Sequence, residues 1–481
     1  YGDEQPPSRE ALFGAIFERI DRHPRGAAYE LVFEFGRSIV GNAGVLLTRV
    51  EYLKRNADRR FAIVDAAMND LMRPALYDAY HGVLPVQRQE TGQVEAYDIV
   101  GWDPRGVGKS TPVTCYTDPK QTDEVLYGTF DSPYGTQGWI DELTVEEEKF
   151  AAACEKNTGE LLGNLDTASN AKDMDMIRAL VGDEKLNYLG YSYGTYFGAV
   201  YAELFPDKVG RLVLDGALDP LLSDFESLKV QMAGFDSAFR AYMQFCLQGS
   251  DCPFSGDVDT ALGQARTVLE TVDAQGLVNS DGRVLDSATL GTAIALNLYS
   301  EDYWPDMTQM FAELSTGDPT LAFVNADYYN SRNADGSYSS NSFEVYTAAT
   351  CVDGDFADDP ATTLDRLAEI DAAAPILGKF FAYDDFAVLD TACSNWPVPR
   401  ADLPTSFEAK GAPPILVIGT TNDPATPYAW AQALASQLSS GVMITHKGEG
   451  HTVYNQGVTC IDDTVDAFFL DGTVPASDPM C

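Results

Sequence analysis

The stretch Leu186-Asn187-Tyr188-Leu189-Gly190-Tyr191-Ser192-Tyr193-Gly194 decides how this chain is read. Its first half is a short apolar run of the kind that forms a buried strand, and a helical stretch from Tyr193 to about Phe205 follows with no loop between them. The junction is a G-x-S-x-G, whose glycines permit a turn tight enough to lift the serine oxygen above the edge of a sheet. In a chain rich in glycine the pattern alone is weak. The strand before it and the helix after it carry the argument.

Outward from this junction the same alternation recurs. Upstream, Tyr97-Asp98-Ile99-Val100-Gly101 is an apolar strand stopped by a turn at Asp103-Pro104-Arg105-Gly106, and Thr144 to Gly182 reads as helix. Downstream, Arg211-Leu212-Val213-Leu214-Asp215 is another strand. The rhythm lapses between about Leu221 and Arg400, where helical segments alternate with turns such as Asn333 to Asn341. It resumes at Pro414-Ile415-Leu416-Val417-Ile418-Gly419, with helix from Tyr428 to about Leu438 and a strand near Val442 to Thr445. Strand, helix, strand in this order means a parallel sheet covered on both faces, here interrupted by a mainly helical cap.

A serine hydroxyl is a poor nucleophile without a base, and a base needs an orienting carboxylate, in the chain order serine, acid, histidine for this architecture. Four histidines are available: His23, His81, His446 and His451. His451 lies in the Gly-flanked loop Gly448-Glu449-Gly450-His451-Thr452 beyond the last strand and is the best base. Asp423, in Thr420-Thr421-Asn422-Asp423-Pro424 after the preceding strand, is the matching acid. Each residue also has a plainer reading. The serine turn is then only a turn, Asp423 an Asx turn before Pro424, and His451 a surface residue. Order, spacing and strand ends together favour a triad of Ser192, Asp423 and His451, with the Tyr193 amide as oxyanion donor. Glu449 reads as a solvated loop charge and His446 as structural.

Charge excludes several classes. The 481 residues carry 32 Lys+Arg against 73 Asp+Glu, a net charge of −41, which repels phosphate backbones and anionic membranes, so nucleic-acid binding is disfavoured. No apolar run is long enough to span a bilayer. The chain opens at Tyr1 without a signal-like stretch and reads as a mature or truncated soluble protein. The charge is unevenly spread: residues 1–101 hold 12 Lys+Arg and 15 Asp+Glu, and residues 102–481 hold 20 and 58. All eight cysteines follow this seam, an even number suited to disulfides in an oxidising compartment. The first part reads as cytosolic and the second as secreted.

From about Tyr97 to Cys481 the chain resembles the secreted actinobacterial serine peptidases of the tripeptidyl-aminopeptidase and proline-iminopeptidase group. The resemblance rests on Asp98-Ile-Val-Gly-Trp-Asp-Pro-Arg-Gly-Val-Gly-Lys-Ser110, Leu189-Gly-Tyr-Ser-Tyr-Gly-Thr195, Leu214-Asp-Gly-Ala-Leu-Asp-Pro220, Cys393-Ser-Asn-Trp-Pro397, and Gly419 through Pro427 with Gly448 through Tyr454. It implies an α/β-hydrolase fold with a helical cap, and Ser192 as nucleophile, Asp423 as acid and His451 as base. It also implies release of short peptides or single residues from free N-termini. The expected organisation is a hydrolase core over 97–220, the cap over 221–400 and a second, TAP-like core part over 401–481. Neighbouring cysteines can pair as Cys115 with Cys154, Cys246 with Cys252, Cys351 with Cys393 and Cys460 with Cys481, although eight cysteines allow 105 pairings. No C-x-x-C or cysteine–histidine cluster points to a metal, and no cofactor is expected. A peptide substrate's ammonium needs buried carboxylates, for which Asp353 and Asp355 beside Cys351 are candidates, set against the plainer reading of solvated surface acids. Carboxylester hydrolysis by the same triad is the nearest alternative activity. The oligomeric state is not legible.

The segment before the seam resembles part of diaminopimelate decarboxylase, a pyridoxal-phosphate enzyme. The matching stretches are Asp3-Glu-Gln-Pro-Pro7, Phe33-Glu-Phe-Gly-Arg-Ser-Ile-Val40, Gly44-Val-Leu-Leu-Thr-Arg-Val-Glu-Tyr-Leu-Lys54 and Phe61-Ala-Ile-Val-Asp-Ala-Ala-Met-Asn-Asp-Leu-Met-Arg-Pro-Ala-Leu-Tyr77. The family's Glu-Pro-Gly-Arg reads Glu34-Phe35-Gly36-Arg37 here. Its cofactor-binding lysine and its Cys-Glu-Ser-Gly-Asp motif are absent, so decarboxylase activity is rejected. The chain thus looks like a join of two families across Tyr97 to Gly101, and the Gly-rich loop that supplies a second oxyanion donor is missing. Loss of one such donor typically costs about 10²–10³ in turnover, so a catalytically impaired hydrolase shell that only binds is a third reading. Residues 1–96 have two placements. In one, Phe61 to Val64 fill the vacant sheet position, with Asp65 to Asn69 where the oxyanion loop belongs. In the other, favoured by how rarely local propensity fixes topology, they pack poorly or separately.

Overall fold

The computed structural model describes residues 50–55, 60–64, 100–354, 356, 361–476 and 478–481. Within the first hundred, β1 (Val50–Arg55) and β2 (Arg60–Val64) pair antiparallel, Lys54 opposite Phe61, as a separate two-stranded sheet. Phe61 to Val64 therefore do not extend the parallel sheet, which corrects the first placement above. Its pairing goes instead to its immediate neighbour in sequence, β1. The loop 65–69 and most of the strand expected at Tyr97 lie outside the described residues, and Val100 and Gly101 belong to no strand.

The expected long helix from Thr144 to Gly182 is three pieces. Helix α1 (Gln137–Thr158) ends at Gly159, a 3₁₀ turn follows, and Asp166 caps α2 (Thr167–Leu180) by accepting from the Ser169 amide at 2.7 Å. Then come β3 (Leu186–Tyr191), α3 (Tyr193–Leu204) and β4 (Val209–Asp215).

The cap follows as α4 (Asp224–Cys246), α5 (Val258–Gln275), α6 (Ser287–Leu298), α7 (Trp304–Leu314), α8 (Thr320–Tyr329), α9 (Ser342–Asp353), α10 (Ala361–Ala373) and α11 (Tyr383–Ser394). Its apolar core, with Phe239, Tyr242, Ile294, Met310 and Phe311 buried, also takes in Trp139, Ile140 and Leu143 of α1. Part of the stretch before residue 221 thus packs as cap, because α1 presents an apolar stripe that the parallel sheet does not cover.

After the cap, β5 (Ile415–Asn422), α12 (Tyr428–Gln437), β6 (Gly441–Glu449) and α13 (Thr459–Asp471) complete the sheet. The order is β3-β4-β5-β6, all parallel, with Leu189 beside Val213, Val213 beside Leu416 and Val417 beside Met443. Alternation along the strands sends Leu212, Leu214, Ile415 and Val417 into one apolar cluster with α3 and α12, and Val213, Leu416, Ile418 and Ile444 into another with α13. Full burial on both faces is why β4 and β5 read as continuous apolar runs. This is the α/β-hydrolase fold with a helical cap.

Four disulfides join sequence neighbours: Cys115–Cys154, Cys246–Cys252, Cys351–Cys393 and Cys460–Cys481. The last fixes the chain end against the sheet, where the Cys481 amide donates to the Thr445 carbonyl at 2.8 Å and covers the open edge of β6. Among the described residues no helix is long and apolar enough to cross a membrane.

Candidate active site

The serine turn is strained in the way its sequence allows. Ser192 stands between β3 and α3 at φ 52° and ψ −123°, a conformation that typically costs a non-glycine residue about 1–3 kcal/mol and persists only where its surroundings enforce it. Those surroundings are specific. The Ser192 amide donates to the Asp215 carbonyl at 2.9 Å, and the Thr195 amide and hydroxyl donate to the Ser192 carbonyl at 2.8 and 2.6 Å. A Cβ at Gly190 would stand 2.5 Å from the Gly194 carbonyl oxygen, so the first glycine of the motif is required by the approach of the helix to the strand.

Across the sheet edge, Asp423 and His451 meet. The imidazole Nδ1 lies 3.0 and 2.9 Å from the two carboxylate oxygens, with the Asp423 side chain fully buried. Asp423 Oδ1 also accepts the amides of Ala425 and Thr426 at 2.9 and 2.8 Å, and Oδ2 accepts the Thr426 hydroxyl at 3.0 Å. Asp423 is therefore an Asx turn and the partner of His451 at once, so the plainer reading and the chemical one coexist. Because both of its oxygens accept, Nδ1 carries the hydrogen and Nε2 keeps its lone pair for the serine side.

Ser192 and His451 converge on the end of β4. The Ser192 amide is bonded to Asp215, and the next residue, Gly216, at φ 67°, lies under the imidazole: a Cβ there would be 3.1 Å from His451 Cε1 and 3.0 Å from Thr426 Oγ1. Among the described residues no direct hydrogen bond joins Ser192 Oγ to Nε2, as is common before a substrate tightens a site. Tyr193 opens α3, where backbone amides have no acceptor within the helix, which suits its amide to a developing oxyanion.

Asp353, at the end of α9, reaches the same turn. Its carboxylate accepts the Thr167 amide at 3.1 Å, the Thr167 hydroxyl at 2.6 Å and the Tyr193 hydroxyl at 3.2 Å, and burial pushes its carboxyl up to about 6. It is not a solvated surface acid. Asp355 lies outside the described residues.

Two neighbours were not legible. Thr426 places its hydroxyl 3.2 Å from His451 Nδ1 as well as on Asp423, and only its position three residues after the acid could have singled it out. Tyr299, at the end of α6, accepts the His451 amide on its carbonyl at 2.9 Å and sets its ring edge-on to the imidazole, centroids 5.2 Å apart. Glu449, read above as a solvated loop charge, is half-buried and accepts from the Asn422 side-chain amide, and burial raises its carboxyl. His446 is half-buried, and burial lowers its imidazole. Among the described residues no group of His, Cys, Asp and Glu is arranged to hold a metal ion.

Comparison with known proteins gives two families. Residues 379–481 match the TAP-like protein family, and residues 20–102 match the C-terminal sheet domain of pyridoxal-dependent decarboxylases. The chain is 37% identical over 409 residues to serine protease Hip1 of Mycobacterium tuberculosis, covering 80% of this chain and 75% of that protein. It is 36% identical to carboxylesterase B of the same species over 82% of this chain and 75% of that protein. It is 31% identical to tripeptidyl aminopeptidase of Streptomyces lividans over 80% and 71%.

Proposed function

Because the chain belongs to the TAP-like family of α/β-hydrolase serine hydrolases, we propose that Ser192, His451 and Asp423 are its nucleophile, base and acid, and that it releases short peptides or single residues from free N-termini. The observation that carries the proposal is the bidentate approach of Asp423 to His451 Nδ1 beside a strained serine on the same sheet edge. Ser192 Oγ attacks the scissile carbonyl and passes its proton to His451 Nε2. The tetrahedral oxyanion takes the Tyr193 amide, and the imidazolium that forms is stabilised through Nδ1–H by Asp423. Collapse breaks the C–N bond as Nε2 returns the proton to the leaving amine. Water then repeats the sequence on the acyl-enzyme.

Asp353 is the candidate for the substrate ammonium, through carboxylate capacity left beyond Thr167 and Tyr193. The four disulfides support an extracytoplasmic setting, because such bonds persist where the surroundings oxidise. Residues 1–96 are proposed as a decarboxylase-derived segment without cofactor chemistry.

Turnover of aminoacyl anilides with free and with blocked N-termini tests the proposal. A strong preference for the free amine is expected. Equal turnover of both, together with fast cleavage of simple esters, favours the carboxylesterase reading that the 36% identical relative supports. Failure of a fluorophosphonate to label Ser192 in folded protein would leave only a binding shell.

A further inference from the structure

We propose that Asp215 is a positioning residue that sets the spacing between nucleophile and base, one part of it holding the Ser192 turn and another the backbone just beyond His451. The inference rests on the reading of Ser192 and His451 given above. Asp215 ends β4 with no exposed surface. Its carbonyl accepts the Ser192 amide at 2.9 Å. Its Oδ2 accepts the amides of Val453 and Tyr454 at 2.9 and 2.8 Å, two and three residues past the base. The following residue, Gly216, lies under the imidazole and donates its amide to the Ile418 carbonyl of β5 at 3.2 Å. One residue thus bonds both to the Ser192 amide and to the backbone just past His451.

A carboxylate is a costly choice for this task. Oδ1 is buried and has no hydrogen-bond partner among the described residues, and an unpaired buried charge is penalised heavily. The titratable groups that face Asp215 are Asp423 from the end of β5 and His451 from the loop after β6. Burial, with the negative Asp423 acting in the same direction, pushes the Asp215 carboxyl up to about 6, against the Val453 and Tyr454 amides and, less strongly, His451, which pull it down. A neutral asparagine could cap the same two amides without that cost. What asparagine lacks is the negative charge beside an imidazole that must become positive during acyl transfer. Asp215 therefore has two separable parts to play, a clamp that needs an acceptor and a field that needs a charge.

The test compares wild type with Asp215→Ala and Asp215→Asn, following ester turnover against pH, fluorophosphonate labelling of Ser192 and thermal melting. Asp215→Ala is expected to lower kcat about 10²-fold with KM changed by no more than about twofold, since the reacting groups lose their mutual placement. Asp215→Asn should recover kcat to within about tenfold of wild type. In both, the acid limb of kcat/KM should move to lower pH by roughly half a unit, because loss of a nearby negative charge makes the imidazolium easier to deprotonate. A folded Asp215→Ala with wild-type kcat overturns the inference. If that variant does not fold, Asp215→Asn decides: an unmoved acid limb overturns the inference. Wild type that is not labelled at Ser192 defeats the nucleophile reading and this inference with it, whereas normal wild-type labelling with unaffected variants defeats this inference alone.

Discussion

Asp423 and His451 belong to one continuous stretch, β5 through the loop after β6, whereas Ser192 and the Tyr193 amide sit on a turn whose supports come from β4, α2 and α9. The acid is held locally. Asp423 satisfies its own turn through Ala425 and Thr426 before it touches His451, so its position is fixed even without the histidine. The serine side is held from afar and in strain, with Asp353 reaching the Tyr193 hydroxyl from a cap helix. The difference teaches that the position of Asp423 will survive changes elsewhere better than the serine turn will, while His451, bonded through its amide to Tyr299, shares the serine's dependence on distant partners.

The most severe break in this comparison is Ser192→Ala, which is expected to lower turnover by about 10⁶-fold while leaving the Asp423–His451 pair in place. Loss of less than about a hundredfold would remove Ser192 from the nucleophile's role. Asp423→Asn should cost about 10⁴-fold, because an amide can donate to Nδ1 and favour the wrong tautomer while the turn amides stay capped. A smaller loss, measured on an activated ester, would mean that the local turn orients His451 without the charge. Thr426→Val removes a hydroxyl bonded to both members of the pair and should cost about tenfold in kcat, the equivalent of one modest hydrogen bond, with the fold intact.

The remaining predictions sharpen the contrast through stability. Replacing both Cys460 and Cys481 by serine removes a bond across 21 residues of sequence and should destabilise by about 3 kcal/mol, visible as a lower Tm with little change in kcat. An unchanged Tm would show that the edge strand alone secures the chain end. The smallest effect concerns the serine side. Asp353 has a folded carboxyl near 6 against 3.8 unfolded, so its ionisation opposes folding increasingly as pH rises from about 4 to 6. Asp353→Asn should therefore gain stability relative to wild type across that window, and a difference in Tm that does not change with pH would refute the burial argument.

Much of the core was legible because its determinants are local. The runs at Leu212 to Leu214 and Ile415 to Ile418 can be buried on both faces in only one kind of sheet, and Gly190 declares a close approach of backbone to backbone. The candidate site was read from strand ends and chain order. What escaped the sequence depends on partners far along the chain. Trp139 and Ile140 pack with the cap because of an apolar face that only the cap covers. Tyr299 holds His451 through a carbonyl, a group every residue has. Phe61 to Val64 resembled a missing sheet strand by composition, yet β-propensity does not choose a partner, and Val50–Arg55 was nearer.

The bond from the His451 amide to the Tyr299 carbonyl makes an interlock of the cap and the candidate base. That corner of the cap cannot lift from the sheet without releasing the loop that carries the imidazole. Moving Tyr299 away would cost about 0.5–1.5 kcal/mol for that bond, so the position of this part of the cap and the placement of the imidazole are coupled, though only by that much.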